Sequence, residues 1–192
     1  MGFYTGGAFD FRSTASSIGY NQGFEHGLNS SYKKAPANTA IFPVLRAADA
    51  MQGTGYARMA ANAAGSHLRL WRRVTTHPGA QSHTVRLWVR ASGFLTGTVR
   101  VRKVAGSQSQ EPTGAEIASE AFSGSPAATW KLIEVKVPST GGFDLEISYT
   151  SFGAEAQVDV DGVDMNSQFK EQPPEKQPCI YGKPGLDEGC DL

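Results

Sequence analysis

The sequence predicts an all-β protein: a two-sheet antiparallel β-sandwich of the jelly-roll kind, with extended N- and C-terminal arms. Two observations carry that prediction. From residue 55 onward, short runs alternate apolar and polar side chains with a period of two, as strands with one buried face do. Between the runs lie turn-forming stretches ("AAGS", "HPGAQ", "SGFLTG", "AGSQSQEPTG", "SGSPAAT", "PSTGG" and "SFGAE"), rich in residues that favour tight backbone bends.

Three parts follow in order. Residues 1–17 are rich in Gly, Ser, Thr and aromatics with no period, and read as an arm. Residues 18–166 form the sandwich. Candidate strands are Gly55–Ala61, Ser66–Val74, His83–Ala91, Gly97–Val104, Ala115–Phe122, Trp130–Val137, Phe143–Thr150 and Ala156–Asp161. Their inward register holds Leu68, Leu70, Val85, Leu87, Val89, Val99, Val101, Ile133, Val135, Val137, Phe143, Leu145, Ile147, Tyr149, Val158 and Val160, enough to fill the space between two sheets. Only Pro43–Gln52 has a helix-compatible pattern. Residues 167–192 hold four of the ten prolines and read as a second arm.

With 192 residues, 40% of them hydrophobic and 19% charged, the chain suits one globular domain. No run of 18 apolar residues offers a membrane span, and the first residues lack the basic and apolar regions of a secretory leader. That pattern is the one expected of a product made in a cytoplasm. The two cysteines, Cys179 and Cys190, are confined to the tail and are expected either to close a small loop or to stay free. Net charge is zero but uneven. Residues 50–110 contain nine Lys or Arg and no acid, whereas residues 111–192 contain fifteen acids and five bases.

The basic segment has its own pattern. In "HLRLWRRVTTHPGAQSHTVRLWVRA" (67–91), Leu68, Leu70, Arg72 and Val74 alternate with His67, Arg69, Trp71 and Arg73. Beyond the turn at His77–Gly79, Val85, Leu87, Val89 and Ala91 alternate with Thr84, Arg86, Trp88 and Arg90. With the aliphatic register inward, Arg69, Trp71, Arg73, Arg86, Trp88 and Arg90 face outward, and "GTVRVRKV" adds Arg100 and Arg102. If the three strands are neighbours, these eight side chains share one outer face and are the candidate ligand-binding residues. Arg makes bidentate contacts with carboxylate, sulfate or phosphate, and Trp offers a flat stacking platform. Other readings stand beside this one. The outward acids Glu134, Asp144, Glu146 and Asp159 can form an ion-pair ladder with the arginines. An arm can cover the face, or another protein can dock on it. Nucleic acid ranks lowest as a partner, given the zero net charge and the acidic tail.

At "NQGFEHGL" (21–28) the sequence resembles the jelly-roll carbohydrate-binding modules found beside xylanases and glucanases, which open with Asn-x-x-Phe-Glu-x-Gly. Further boxes follow in the order of that family: "GTGYARM", "HPGAQSHTVRLWV", "TWKLIEVKV" and the closing "VDVDGVDM". The resemblance covers residues 18–165. It implies the jelly roll, a structural calcium ion held by Glu25 and Asp161, and sugar binding through aromatic rings. Trp71 and Trp88 are the main aromatic candidates, with Tyr32 and Tyr56 in weaker places. Trp130 is left aside because its counterpart is packed inside. Gly162 stands where the family has a second Asp, so the calcium match is partial.

No catalytic constellation is legible. His26, His67, His77 and His83 have no metal-ligand spacing, and there is no nucleophile elbow and no phosphate loop. The triplet Asn29-Ser30-Ser31 matches a glycosylation acceptor, a pattern common by chance. Two functional expectations result. One is an accessory protein of a phage or phage-like virion (a capsid decoration, spike or fibre element) docked onto other subunits by residues 1–17 and 167–192. The alternative is an extracellular module that binds a polysaccharide, acidic ones included, through Trp and Arg. An accessory domain of an enzyme ranks third.

Overall fold

Among the described residues, ten β-strands build two five-stranded antiparallel sheets. The computed structural model describes residues 24, 28, 32–35, 41–45, 48–76, 80–138 and 140–169. The strands are β1 (Lys33–Ala35), β2 (Ile41–Val44), β3 (Tyr56–Ala60), β4 (His67–Thr75), β5 (Ala80–Ser92), β6 (Leu95–Lys103), β7 (Glu116–Ser123), β8 (Lys131–Pro138), β9 (Gly142–Ser151) and β10 (Gln157–Phe169). The first sheet has the order β1-β4-β9-β6-β7, the second β2-β3-β10-β5-β8. Eight strands coincide with the expected runs to within a few residues, except that β10 continues through Phe169. The sandwich therefore extends past the expected boundary at 166, and residues 1–17 and 170–192 lie outside the described residues.

The alternation of the sequence is the alternation of burial. Every aliphatic assigned to the inward register is buried in one core. Each such side chain contributes about 1.5–3 kcal/mol on removal from water. Arg72 also lies on that register, and it too is buried, with its guanidinium 4.7 Å from the Tyr32 ring centroid. Tyr149 ties the two sheets together. From β9 its hydroxyl donates to the Met59 and Ala156 carbonyls at 3.0 and 3.2 Å, and burial pushes its pKa above the usual phenol range.

The helical expectation for Pro43–Gln52 is not met. Pro43 lies in β2, an edge strand, where a missing N–H leaves no ladder bond unmade on the open side. Residues 48–49 form a turn, and no helix occurs among the described residues. Strands β1 and β2 are too short to show a period.

The connections decide where the site can be. Only β2–β3 and β6–β7 are consecutive strands paired with each other; the remaining connections from β3 onward carry the chain from one sheet to the other. Strands β4 and β5, consecutive in the chain, thus lie on opposite sheets.

Candidate functional site

The expected single face of eight residues is divided between the two outer faces of the sandwich. Arg69, Trp71 and Arg73 on β4 and Arg100 and Arg102 on β6 belong to the first sheet. Arg86, Trp88 and Arg90 on β5 belong to the second. The condition that the three strands be neighbours fails, because β9 lies between β4 and β6 and β5 pairs with β8 and β10.

On the first sheet, β9 inserts an acidic row between two basic ones. Arg73 holds Asp144 bidentately, Nε to Oδ1 at 2.8 Å and Nη2 to Oδ2 at 3.1 Å. The buried Glu146 receives Arg102 at 2.7 Å, with Arg100 at 3.6 Å and Arg69 at 4.0 Å. Glu111 and Glu116 add pairs to Arg69 at 2.6 Å and to Arg100 at 3.3 Å. Trp71, between these arginines, is only 4% exposed. A ring so enclosed presents no open stacking face, although its register puts it outside the aliphatic core.

On the second sheet, Asp159 of the central strand β10 has Arg58 of β3 on one side and Arg90 of β5 on the other. Arg58 donates to both carboxylate oxygens (2.8 and 3.1 Å), Arg90 donates to Oδ2 (2.8 and 3.0 Å), and Gln157 adds its amide. The bond to Asp159 raises the already high Arg58 pKa. Both guanidiniums lie over Tyr56, at 5.4 and 5.3 Å, and that of Arg90 also stacks 4.6 Å from the Trp130 ring. Trp130 meets Tyr56 edge-on and donates its indole N–H to the Asp49 carbonyl. It is half-buried on this outer side, whereas the family resemblance implies an inward ring. Tyr56 is buried beneath this stack, and Tyr32 lies in the core. Trp88 is half-buried, with the exposed Leu132 opposite it on β8. Arg86 pairs with Glu134 at 2.7 Å in a more open setting. The reasoning from sequence missed Arg58; the available signal was its shared parity with Tyr56 and an acid on a later strand.

Asp161 is buried, and its described partners are N–H donors. Oδ2 accepts from the Met51 and Gln52 amides at 2.7 and 2.8 Å, and Oδ1 from Gly162 at 2.6 Å. The carboxylate pins the loop before β3 onto the second sheet. No group of three or more His, Cys, Asp or Glu side chains suited to a metal occurs among the described residues, and Glu25 lies outside them. Gly162 departs from the family for a physical reason. It has φ 55° at a register shift of β10, and a Cβ there would come within 2.8 Å of the Gln52 side chain and 3.1 Å of Trp88. His83 lies in the core bonded to Ser167, and His67 accepts from Arg69. His26 and His77 lie outside the described residues.

The fold thus described is that of carbohydrate-binding modules. The module TmCBM61, solved in complex with beta-1,4-galactotriose, matches at TM-score 0.62 and 18% identity, over 78% of this chain and 97% of the module. The CBM22-1 xylan-binding domain from Paenibacillus barcinonensis Xyn10C matches at TM-score 0.51 and 13% identity, over 78% and 93%. The enzymatically active domain of bacteriophage CBA120 tailspike protein 4 matches at TM-score 0.54 and 10% identity, over 77% of this chain and 21% of that one. No protein-family model matches the sequence, and no curated protein does.

Proposed function

We propose that the chain is a non-catalytic, glycan-binding jelly-roll module. The observation that carries this reading is the likeness, over nearly the whole of the other molecule, to a module that holds an oligosaccharide. The ion-pair networks bear on the class of ligand. The arginines expected to clamp an anion are engaged by Asp144, Glu146, Asp159 and Glu134, so the two outer faces offer little free positive charge to an acidic glycan, and a neutral one is the better candidate. Screening the chain against an array of neutral and acidic polysaccharides tests the reading: retention on neutral glycans supports it, and no retention on any glycan removes it.

A second reading is favoured by the tailspike likeness, which supports a place for such a sandwich in a phage particle. In this reading the module is a decoration, spike or fibre element of a virion, held to other subunits by residues 1–17 and 167–192, and the two readings are compatible. Particles assembled with residues 1–17 or residues 170–192 deleted, which leaves β10 whole, lose the protein if the reading holds; full occupancy by both truncated chains removes it. If the module acts outside such a particle, its place is extracellular. A structural calcium ion held by Glu25 and Asp161 is a separate proposal. Heat and a raised melting temperature on titrating chelated protein with calcium support it, and flat traces remove it.

A further inference from the structure

Both sheets end on one side of the sandwich in eight-residue edge strands, β7 and β8, which lie close to each other. A groove of about 510 Å³ runs there, within the range of roughly 300–1,000 Å³ typical of ligand sites. Its floor is apolar, formed by Val89, Ala91 and Ile133 of the core, and Phe122 and Leu132 line it.

One polar side chain is out of place. The register sets Glu120 opposite Val99, which is wholly buried, so Glu120 occupies the core-facing position of β7. It nevertheless remains exposed, lines the groove, and makes no hydrogen bond or ion pair among the described residues. An inward charge can protect a free sheet edge from pairing with another chain. That role does not account for what lies at the groove's end.

There, Gly124 donates to the Leu95 carbonyl and Ser125 to the Ala91 carbonyl, which joins the groove to the β5–β6 turn. Phe94 in that turn is 75% exposed, and its ring lies 5.4 Å from that of Phe152, which is 50% exposed. The pair is fixed by the Phe152 amide donating to the Phe94 carbonyl at 2.7 Å. Two large exposed rings held together at the β5–β6 turn, which backbone hydrogen bonds join to the segment after β7, form a platform without a partner among the described residues.

We propose that the β7–β8 groove and the Phe94–Phe152 pair together bind a neutral oligosaccharide. The inference rests on the glycan-binding reading and locates its site. Apolar sugar faces suit Phe122, Leu132 and the Phe pair, while sugar hydroxyls donate to Glu120 and exchange hydrogen bonds with Ser125 and Thr129. Glu120 makes no ion pair among the described residues and disfavours a uronate beside it, while Lys131, which also lines the groove, partly offsets that charge.

Affinity gel electrophoresis with β-1,4-galactan, xylan and polygalacturonate tests this. The unaltered chain is retarded by at least one neutral polymer and not by polygalacturonate. Glu120→Gln weakens that binding about ten-fold, the loss expected for one hydrogen bond to a charged group. Phe94→Ala combined with Phe152→Ala weakens it several-fold. Melting temperatures of these exposed-site variants stay unchanged. Equal retardation of both variants, loss only on Trp88→Ala, or preference for polygalacturonate overturns the groove assignment. So does self-association of Glu120→Gln with full binding, which assigns Glu120 to edge protection. Absence of retardation by every polymer, seen in the unaltered chain, instead overturns the glycan reading itself.

Discussion

Replacing Asp159 by Asn removes one charge from the most densely bonded acid of the second sheet. Asp159 has no exposed surface, whereas the side chains of its partners Arg58 and Arg90 are 27% and 19% exposed. The amide cannot accept at both atoms, and its NH₂ group opposes a guanidinium. Breaking a buried pair by removing one partner costs about 3–5 kcal/mol. Since both guanidiniums reach solvent, the low end applies, and we expect about 3 kcal/mol. For a domain of this size that lowers the melting temperature by about 6–12 °C. Arg86→Gln is the internal comparison. It breaks the pair with Glu134, whose members are 48% and 42% exposed, and is expected to cost under about 0.5 kcal/mol. Urea denaturation of both variants at neutral pH measures the difference. If Asp159→Asn costs no more than Arg86→Gln, the outer arginines are not structural, and the reasoning that closes these faces to anions fails.

Three further outcomes follow from packing and titration. At Gly97 a Cβ would sit 2.2 Å from the Phe122 ring, so Gly97→Ala is expected to cost about 1–3 kcal/mol in denaturation. Adding Phe122→Ala should recover part of that loss, and an unchanged midpoint for Gly97→Ala contradicts the packing. Tyr149→Phe leaves the Met59 and Ala156 carbonyls without the hydroxyl and should cost about 1–2 kcal/mol by thermal melting; a neutral result removes the tie between sheets. Burial holds the His83 pKa below its ordinary 6.5. Below pH 6.5 the unfolded chain therefore binds a proton that the folded chain resists, and stability falls as the pH drops toward the lowered value. Denaturant midpoints between pH 7.5 and 5.5 should fall, and fall less in His83→Leu; an equal slope in that variant assigns the effect elsewhere.

Much of the fold was legible because a period of two reports which side of its own strand a residue occupies. Leu68, Leu70, Val85 and Leu87 are buried as their spacing requires. The period is silent about which sheet a strand joins. Hence Trp71 and Trp88, seventeen residues apart with the same outward parity, were expected on one face and lie on opposite sides of the molecule. Strand order depends on contacts distant in sequence: β9 pairs with β4 across about 75 residues, and β10 with β3 across about 100. The ion-pair ladder was legible as a possibility from Asp144, Glu146 and Asp159. Choosing it needed the knowledge that β9 and β10 stand beside the basic strands. Glu120 carried a readable signal, a charge in the register of Ala118 and Phe122, but its meaning depends on β7 being an edge.

In the proposed arrangement the chain's own ion pairs occupy the arginines of the outer faces, and glycan binds instead at the β7–β8 side. Amide chemical-shift mapping during titration with a neutral β-1,4-linked oligosaccharide tests it most directly. Shifts are expected to concentrate at residues 91–95, 120–125, 129–134 and 152. Shifts confined to Arg69, Arg73, Arg100, Arg102 and their β9 neighbours contradict it.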